Sequence, residues 1–201
     1  MARRLSFLSL RASIWQEDFP KAFTPGSEVQ FDEMESSEHT KLKLLSIPIL
    51  VDNGTRKILA FDVVSMPAKG RLAALSRKKY GIRPDHRAAG INQLLEKMNP
   101  KLKHSNVIRS DDCPRYPSPI MRHLPELQHL TCLGGRGCVS GQGELKRKVY
   151  DPLFSLNHTA AMLRANINRL FRRTWCISKK AENLRQHIQI YVRYHNEILT
   201  A

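Results

Sequence analysis

The chain has 201 residues, with 33 Lys and Arg against 18 Asp and Glu, a formal net charge of +15. Hydrophobic residues make up 41% of it, enough for a packed core, which excludes a disordered basic tail. No apolar run reaches the roughly 20 residues that span a bilayer as a helix, and the opening MARRLSFLSL is too short and lacks a cleavage site for a secretory signal.

Residues 1–26 carry Pro20 and Pro25 without a clean period and read as an irregular leader. Residues 28–34 (EVQFDEM) alternate as a strand does. Residues 42–51 (LKLLSIPILV) form a second strand, in which Pro48 calls for an edge position or a bulge. Asp52-Asn53-Gly54-Thr55 is a hairpin turn signal, because Asn-Gly tolerates positive φ at both central positions. Residues 57–64 (KILAFDVV) return as a third strand, so the chain opens on an antiparallel meander.

The period then changes. Ile91, Leu94, Leu95 and Met98 have helical spacing in residues 85–98, with Asp85 as a cap. Residues 105–110 form a short strand ending at Asp111 and Asp112, and residues 127–133 a fifth. Gly134 to Gly143 is too polar and flexible for regular structure. Two apolar stripes follow, one on a helix over 158–173 and one over 180–199. His195 lies inside the second stripe and reads as a packed core histidine rather than a ligand. The order predicts an α/β fold with a mixed sheet covered by helices.

Cys113, Cys132, Cys138 and Cys176 match no zinc spacing and read as reduced thiols. The charge is segregated. Residues 11–40 hold two basic and seven acidic residues, net −5; residues 66–103 hold ten basic and two acidic, net +8; residues 160–201 hold eight basic and two acidic, net +6. A basic body with a local acidic cluster suits a protein that binds a polyanion and holds divalent cations.

Asp32 and Asp111 close the first and fourth strands. On neighbouring strands their carboxylates converge and repel unless a cation lies between them. Mg²⁺ accepts one or two carboxylates together with phosphate oxygens, and a two-metal site supports phosphoryl transfer. The competing reading makes each aspartate a turn residue.

Residues 31–36 (FDEMES), 66–70 (MPAKG), 79–81 (KYG), 110–116 (SDDCPRY), 151–158 (DPLFSLNH) and 161–175 (AMLRANINRLFRRTW) come in the order found in bacterial insertion-sequence transposases. From about residue 27 to 198 the chain resembles the catalytic half of the DDE type. The resemblance implies a ribonuclease-H-like catalytic domain over 27–201, with C-terminal helices. It also implies Mg²⁺ or Mn²⁺ as cofactor, and cleavage at element ends with strand transfer into target DNA.

The family's first two acidic residues fall on Asp32 and on Asp111, with Asp112 as rival. The third departs from the usual helical Glu. Alignment puts Asn157 there, a residue that would also serve as N-cap of a helix starting at His158. Glu144, in the Gly-rich stretch, is the alternative. Arg164, two turns beyond Asn157, is expected beside the site with Asn168 and Arg172, and Lys69, Lys78 and Lys79 are further expected DNA contacts.

Transposases of this kind recognise their ends through an upstream zinc-binding or helix-turn-helix region, which this sequence does not contain. The expected partners are therefore DNA, further copies of the chain in the active complex, and an upstream-encoded recognition region. The expected setting is the nucleoid in the cytoplasm, without a membrane. The competing functions are a truncated, inactive transposase remnant that binds DNA non-specifically, and a basic RNA-binding protein. The second lacks the exposed sheet aromatics of an RNA-recognition motif.

Overall fold

The computed structural model describes residues 2–133, 151–170 and 177–200. Six strands form one sheet: β1 (Glu28–Ser37), β2 (Leu44–Asp52), β3 (Ile58–Phe61), β4 (Val64–Met66), β5 (Val107–Asp111) and β6 (Gln128–Cys132). The order is β3-β2-β1-β5-β6, with β4 also on β2. β1 pairs antiparallel with β2 and parallel with β5, which pairs parallel with β6. An antiparallel meander followed by parallel strands is the ribonuclease-H-like arrangement.

β2 is apolar almost throughout because it is central and covered on both faces. Leu45, Ile47, Ile49 and Val51 pack with Leu156 and Leu163 of α5 (Phe154–Asn166) and Leu184, Ile188 and Val192 of α6 (Ala181–Tyr194). On the other face Val29, Phe31, Leu50 and Ile108 pack against Ile91, Leu95 and Met98 of α3 (Arg87–Met98) and Ile120 of α4 (Pro117–His123). At Gly90 of α3 an added Cβ would lie 2.7 Å from a Val64 methyl, so glycine lets α3 approach β4.

Pro48 is not on an edge strand. It pairs with Glu33 on β1, and its carbonyl accepts from the Asp62 amide, in the gap where β3 has ended and β4 has not begun. Its missing N–H thus falls where the ladder is interrupted, and the register shift in β2 lies instead between Leu50 and Val51. The 52–57 turn is a hairpin with its positive φ at Arg56 (64°) rather than at Asn53 and Gly54. Asp52 organises it, accepting from the Thr55 amide and hydroxyl (2.8 and 2.7 Å) and from the Gly26 amide (2.6 Å).

The expected irregular leader is instead a helix, α1 (Ala2–Ala22). It lies on α6: Gln16 pairs with Gln189, Ser6 accepts from Gln186, and Arg193 sits over the Trp15 ring at 5.9 Å. Tertiary contact with α6 overrides its weak local periodicity. α2 (Leu72–Tyr80) is a further helix that the apolar pattern does not reveal.

The chain ends as a clasp on the β3 edge. The Asn196 side chain accepts from the Ile58 amide and donates to the Ile58 carbonyl (2.8 and 2.9 Å), as a neighbouring strand would. His195 is 1% exposed and is hydrogen-bonded to the Arg56 carbonyl (2.9 Å) and the Tyr191 hydroxyl, so it is a core histidine.

Candidate active site

Asp32 and Asp111 are brought together by the parallel register. Phe31 is opposite Ser110, so the next residue on each strand carries its carboxylate at the same level. Asp111 ends β5, but Asp32 does not end β1, which continues to Ser37. Asp32 stands where β1 stops pairing with β5 while still pairing with β2 through Ile49. The sheet opens on one side at that point.

Burial first, and then the charge of Asp111, push the Asp32 carboxyl up to about 6. The Glu33 amide (2.6 Å) and the Tyr116 hydroxyl (2.9 Å) both donate to Asp32 Oδ1 and pull the other way. Burial also raises Asp111, whose Oδ1 accepts from the Cys113 amide at 3.2 Å. Tyr116, buried among carboxylates, is held far above the ordinary tyrosine range and stays an O–H donor. Asp112 is exposed and one residue past the strand end.

The sequence reading missed Tyr116, Arg115 and Glu33. Tyr116 is 1% exposed and packs edge-on against Phe31. Arg115 donates to Glu33 Oε2 at 2.6 Å, and Ser46 donates to Oε1. Arg115 and Tyr116 follow Asp111 within the SDDCPRY motif, but only folding brings Tyr116 to Asp32, 84 residues away. Next to the site, His129 on β6 is 2.8 Å from the Ser110 hydroxyl, which donates to the Asp111 carbonyl.

Asn157 is not an N-cap. α5 begins at Phe154 with Leu153 at the cap position, and the Asn157 amide already bonds the Leu153 carbonyl. Gln30 of β1 anchors this first turn, accepting from the Leu156 amide (3.0 Å) and donating to the Pro152 carbonyl (2.9 Å). The Asn157 side-chain nitrogen donates to Asp151 at 2.7 Å. Its carbonyl oxygen has no hydrogen-bond donor among the described residues.

α5 ends at Asn166 rather than 173, because Ile167 is extended and a 3₁₀ turn (Asn168–Leu170) follows. Asn168 therefore leaves the helix face that carries Arg164. Arg164 is half-buried on the last turn of α5. Lys69 is ion-paired with Glu35, while Lys78 and Lys79 are exposed in the last turn of α2. Glu144 and Arg172 lie outside the described residues.

Two desolvated carboxylates with raised proton affinity suit a hard divalent cation, which would relieve their repulsion. Among the described residues no group of three or more His, Cys, Asp and Glu could hold a metal by itself. Any third protein ligand would then be a side chain of another type or lie outside the described residues.

Strand order, strand direction and paired carboxylates define a ribonuclease-H-like domain. No protein-family model and no curated protein matches the sequence. Among solved structures the chain is similar to a chain of the simian T-cell lymphotropic virus intasome in complex with a PP2A regulatory subunit, at 12% identity and TM-score 0.47, covering 87% of this chain and 50% of that one. It thus spans half the length of that chain. It is also similar to the catalytic domain of Mos1 mariner transposase, at 12% identity and TM-score 0.36, covering 96% and 91%. The same domain with raltegravir and manganese gives 12%, 0.35, and 96% of each chain. At such values the fold rests on this chain's own strand order. Among the described residues no helix is long and apolar enough to cross a membrane.

Proposed function

We propose that this chain carries out DNA transposition by metal-dependent phosphoryl transfer, cutting at the ends of a bacterial insertion sequence and joining them to target DNA. The observation that carries this reading is the side-by-side placement of Asp32 and Asp111 on adjacent parallel strands, with the Asp32 carboxyl raised to about 6. Asp32 and Asp111 would hold Mg²⁺ or Mn²⁺, with the carbonyl oxygen of Asn157 as third ligand or Glu144 in its place. When bound, the metal supplies polarisation of the scissile phosphate and activation of water or a 3′-hydroxyl. Tyr116 and the Glu33 amide hold Oδ1 of Asp32, which orients the carboxylate and leaves Oδ2 for the cation.

The +15 charge supports a polyanionic partner. Lys78, Lys79, Lys69, Arg164, Asn168 and Arg172 are proposed contacts to DNA. The active complex is proposed to hold more than one copy of the chain and to take its end recognition from an upstream-encoded region. Its proposed place is the nucleoid. The second reading, an inactive remnant that binds DNA without cutting it, is favoured by one observation: the third position is a neutral Asn whose nitrogen is already tied to Asp151.

The test is cleavage of an end-labelled duplex carrying the element end, with the upstream region supplied and Mg²⁺ or Mn²⁺ present. Wild type should cut, and Asp32→Asn and Asp111→Asn should bind but not cut. Wild type that binds and never cuts would establish the remnant.

A further inference from the structure

A cleft of about 340 Å³ lies between α3 and α4, beside the paired aspartates but outside them. Its walls include Ile91, Asn92, Arg115, Ser118, Pro119 and Arg122. Two arginines face a space large enough for a sugar and its phosphate, while Ala88 and Pro119 offer an apolar wall.

The cleft's polar groups are largely unspent. Arg115 uses Nη2 on Glu33 and on the Cys113 sulfur, and its Nε and Nη1 have no hydrogen-bond partner among the described residues. Among the described residues Arg122 has neither a hydrogen-bond nor an ion-pair partner, and the Ser118 hydroxyl has no hydrogen-bond partner. By contrast, the nearby Arg87 is occupied by Asp85 and Asn92 by His123 and the Ala88 carbonyl. Arg115 also joins the cleft to the carboxylates: it clamps Glu33, the neighbour of Asp32, and its charge acts on Asp111.

We propose that the α3–α4 cleft is a phosphate subsite for the DNA strand held at Asp32 and Asp111, in which Arg115 and Arg122 bind one backbone phosphate and Ala88 and Pro119 pack against its sugar. Guanidinium groups suit this role because their N–H pairs match phosphate oxygens two at a time. Ser118 adds a neutral donor. The inference rests on the proposed function for which strand is held, though not for the cleft's affinity for phosphate.

The experiment measures binding of a fluorescent duplex with a single-stranded overhang to the full chain across a salt series, on an Asp111→Asn background so that the DNA stays intact. Arg122→Ala should bind roughly tenfold more weakly, the loss of one charge-assisted contact. Its plot of log affinity against log salt should be shallower by about 0.9. Ser118→Trp fills the cleft without changing charge and should give the same two changes. Met121→Trp, on the exposed side of α4, should stay within about twofold of the parent, a much smaller change than one lost charge contact gives. The subsite is overturned if folded Ser118→Trp binds like the parent, if Met121→Trp is equally impaired, or if the parent does not bind DNA. If wild type never cuts DNA but the cleft variants lose affinity, the subsite stands and the catalytic reading falls. If wild type cuts and the cleft variants bind normally, the reverse holds.

Discussion

Asp32 and Asp111 stand on neighbouring parallel strands one residue beyond the Phe31–Ser110 pair, and the charge of Asp111 adds to burial in raising Asp32 to about 6. In the folded chain Asp32 therefore holds its proton more tightly than in the unfolded chain. Its contribution to stability is fully present below the ordinary carboxylate value of 3.8 and is lost as pH rises through about 6. Without metal, the ionised carboxylate costs at most about 3 kcal/mol at pH 8. Asp32→Asn should accordingly melt higher than wild type at pH 8 in EDTA, and the gain should vanish near pH 4. Equal destabilisation at both values would show that Asp32 is not strained by its surroundings.

A divalent cation should remove the same penalty. At a hundred times its dissociation constant, Mg²⁺ or Mn²⁺ should add about 2.7 kcal/mol, which for a chain of this size raises Tm by roughly 5–10 °C. The shift should be larger at pH 7.5 than at pH 5, because the ligands must be deprotonated, and EDTA should reverse it. Asp111→Asn should abolish it. A metal-induced rise that survives in that variant would place the ion elsewhere.

Tyr116→Phe removes the hydroxyl that donates to Asp32 while leaving the ring against Phe31. The stability cost should be about 1 kcal/mol. Because that hydrogen bond lowers the Asp32 pKa, its loss raises it further. The acid limb of metal-dependent cleavage should then move to higher pH, with the alkaline limb unchanged. A fall in rate that is uniform in pH would assign Tyr116 to packing alone.

Asn157→Ala breaks the bond to Asp151 but no helix cap, since Leu153 holds the cap position. The expected cost is about 1 kcal/mol, so the variant should fold. It should lose cleavage of a labelled DNA end while Glu144→Ala retains it. The opposite pattern would make Glu144 the third ligand.

Local chemistry made the central strands and the stripes of α3 and α6 legible: apolar periods of two and of 3.6 need only neighbours along the chain to be read. The same holds for Asp32 and Asp111 as candidates, for the hairpin after Asp52 and for His195 as a core residue. What required the folded chain was set by contacts between distant segments. α1 is a helix because Gln16 and Trp15 meet α6, and Pro48 sits in a central strand because the ladder breaks beside it at Asp62. α5 starts a turn earlier than its apolar stripe because Gln30 of β1 binds the Leu156 amide. Tyr116 and Arg115 became site residues only when the parallel pairing of β1 and β5 carried them to Asp32 and Glu33. A sequence pattern records which face of an element is buried. Which residue completes a charged site depends on register and crossover, and those are fixed only when the sheet closes its core.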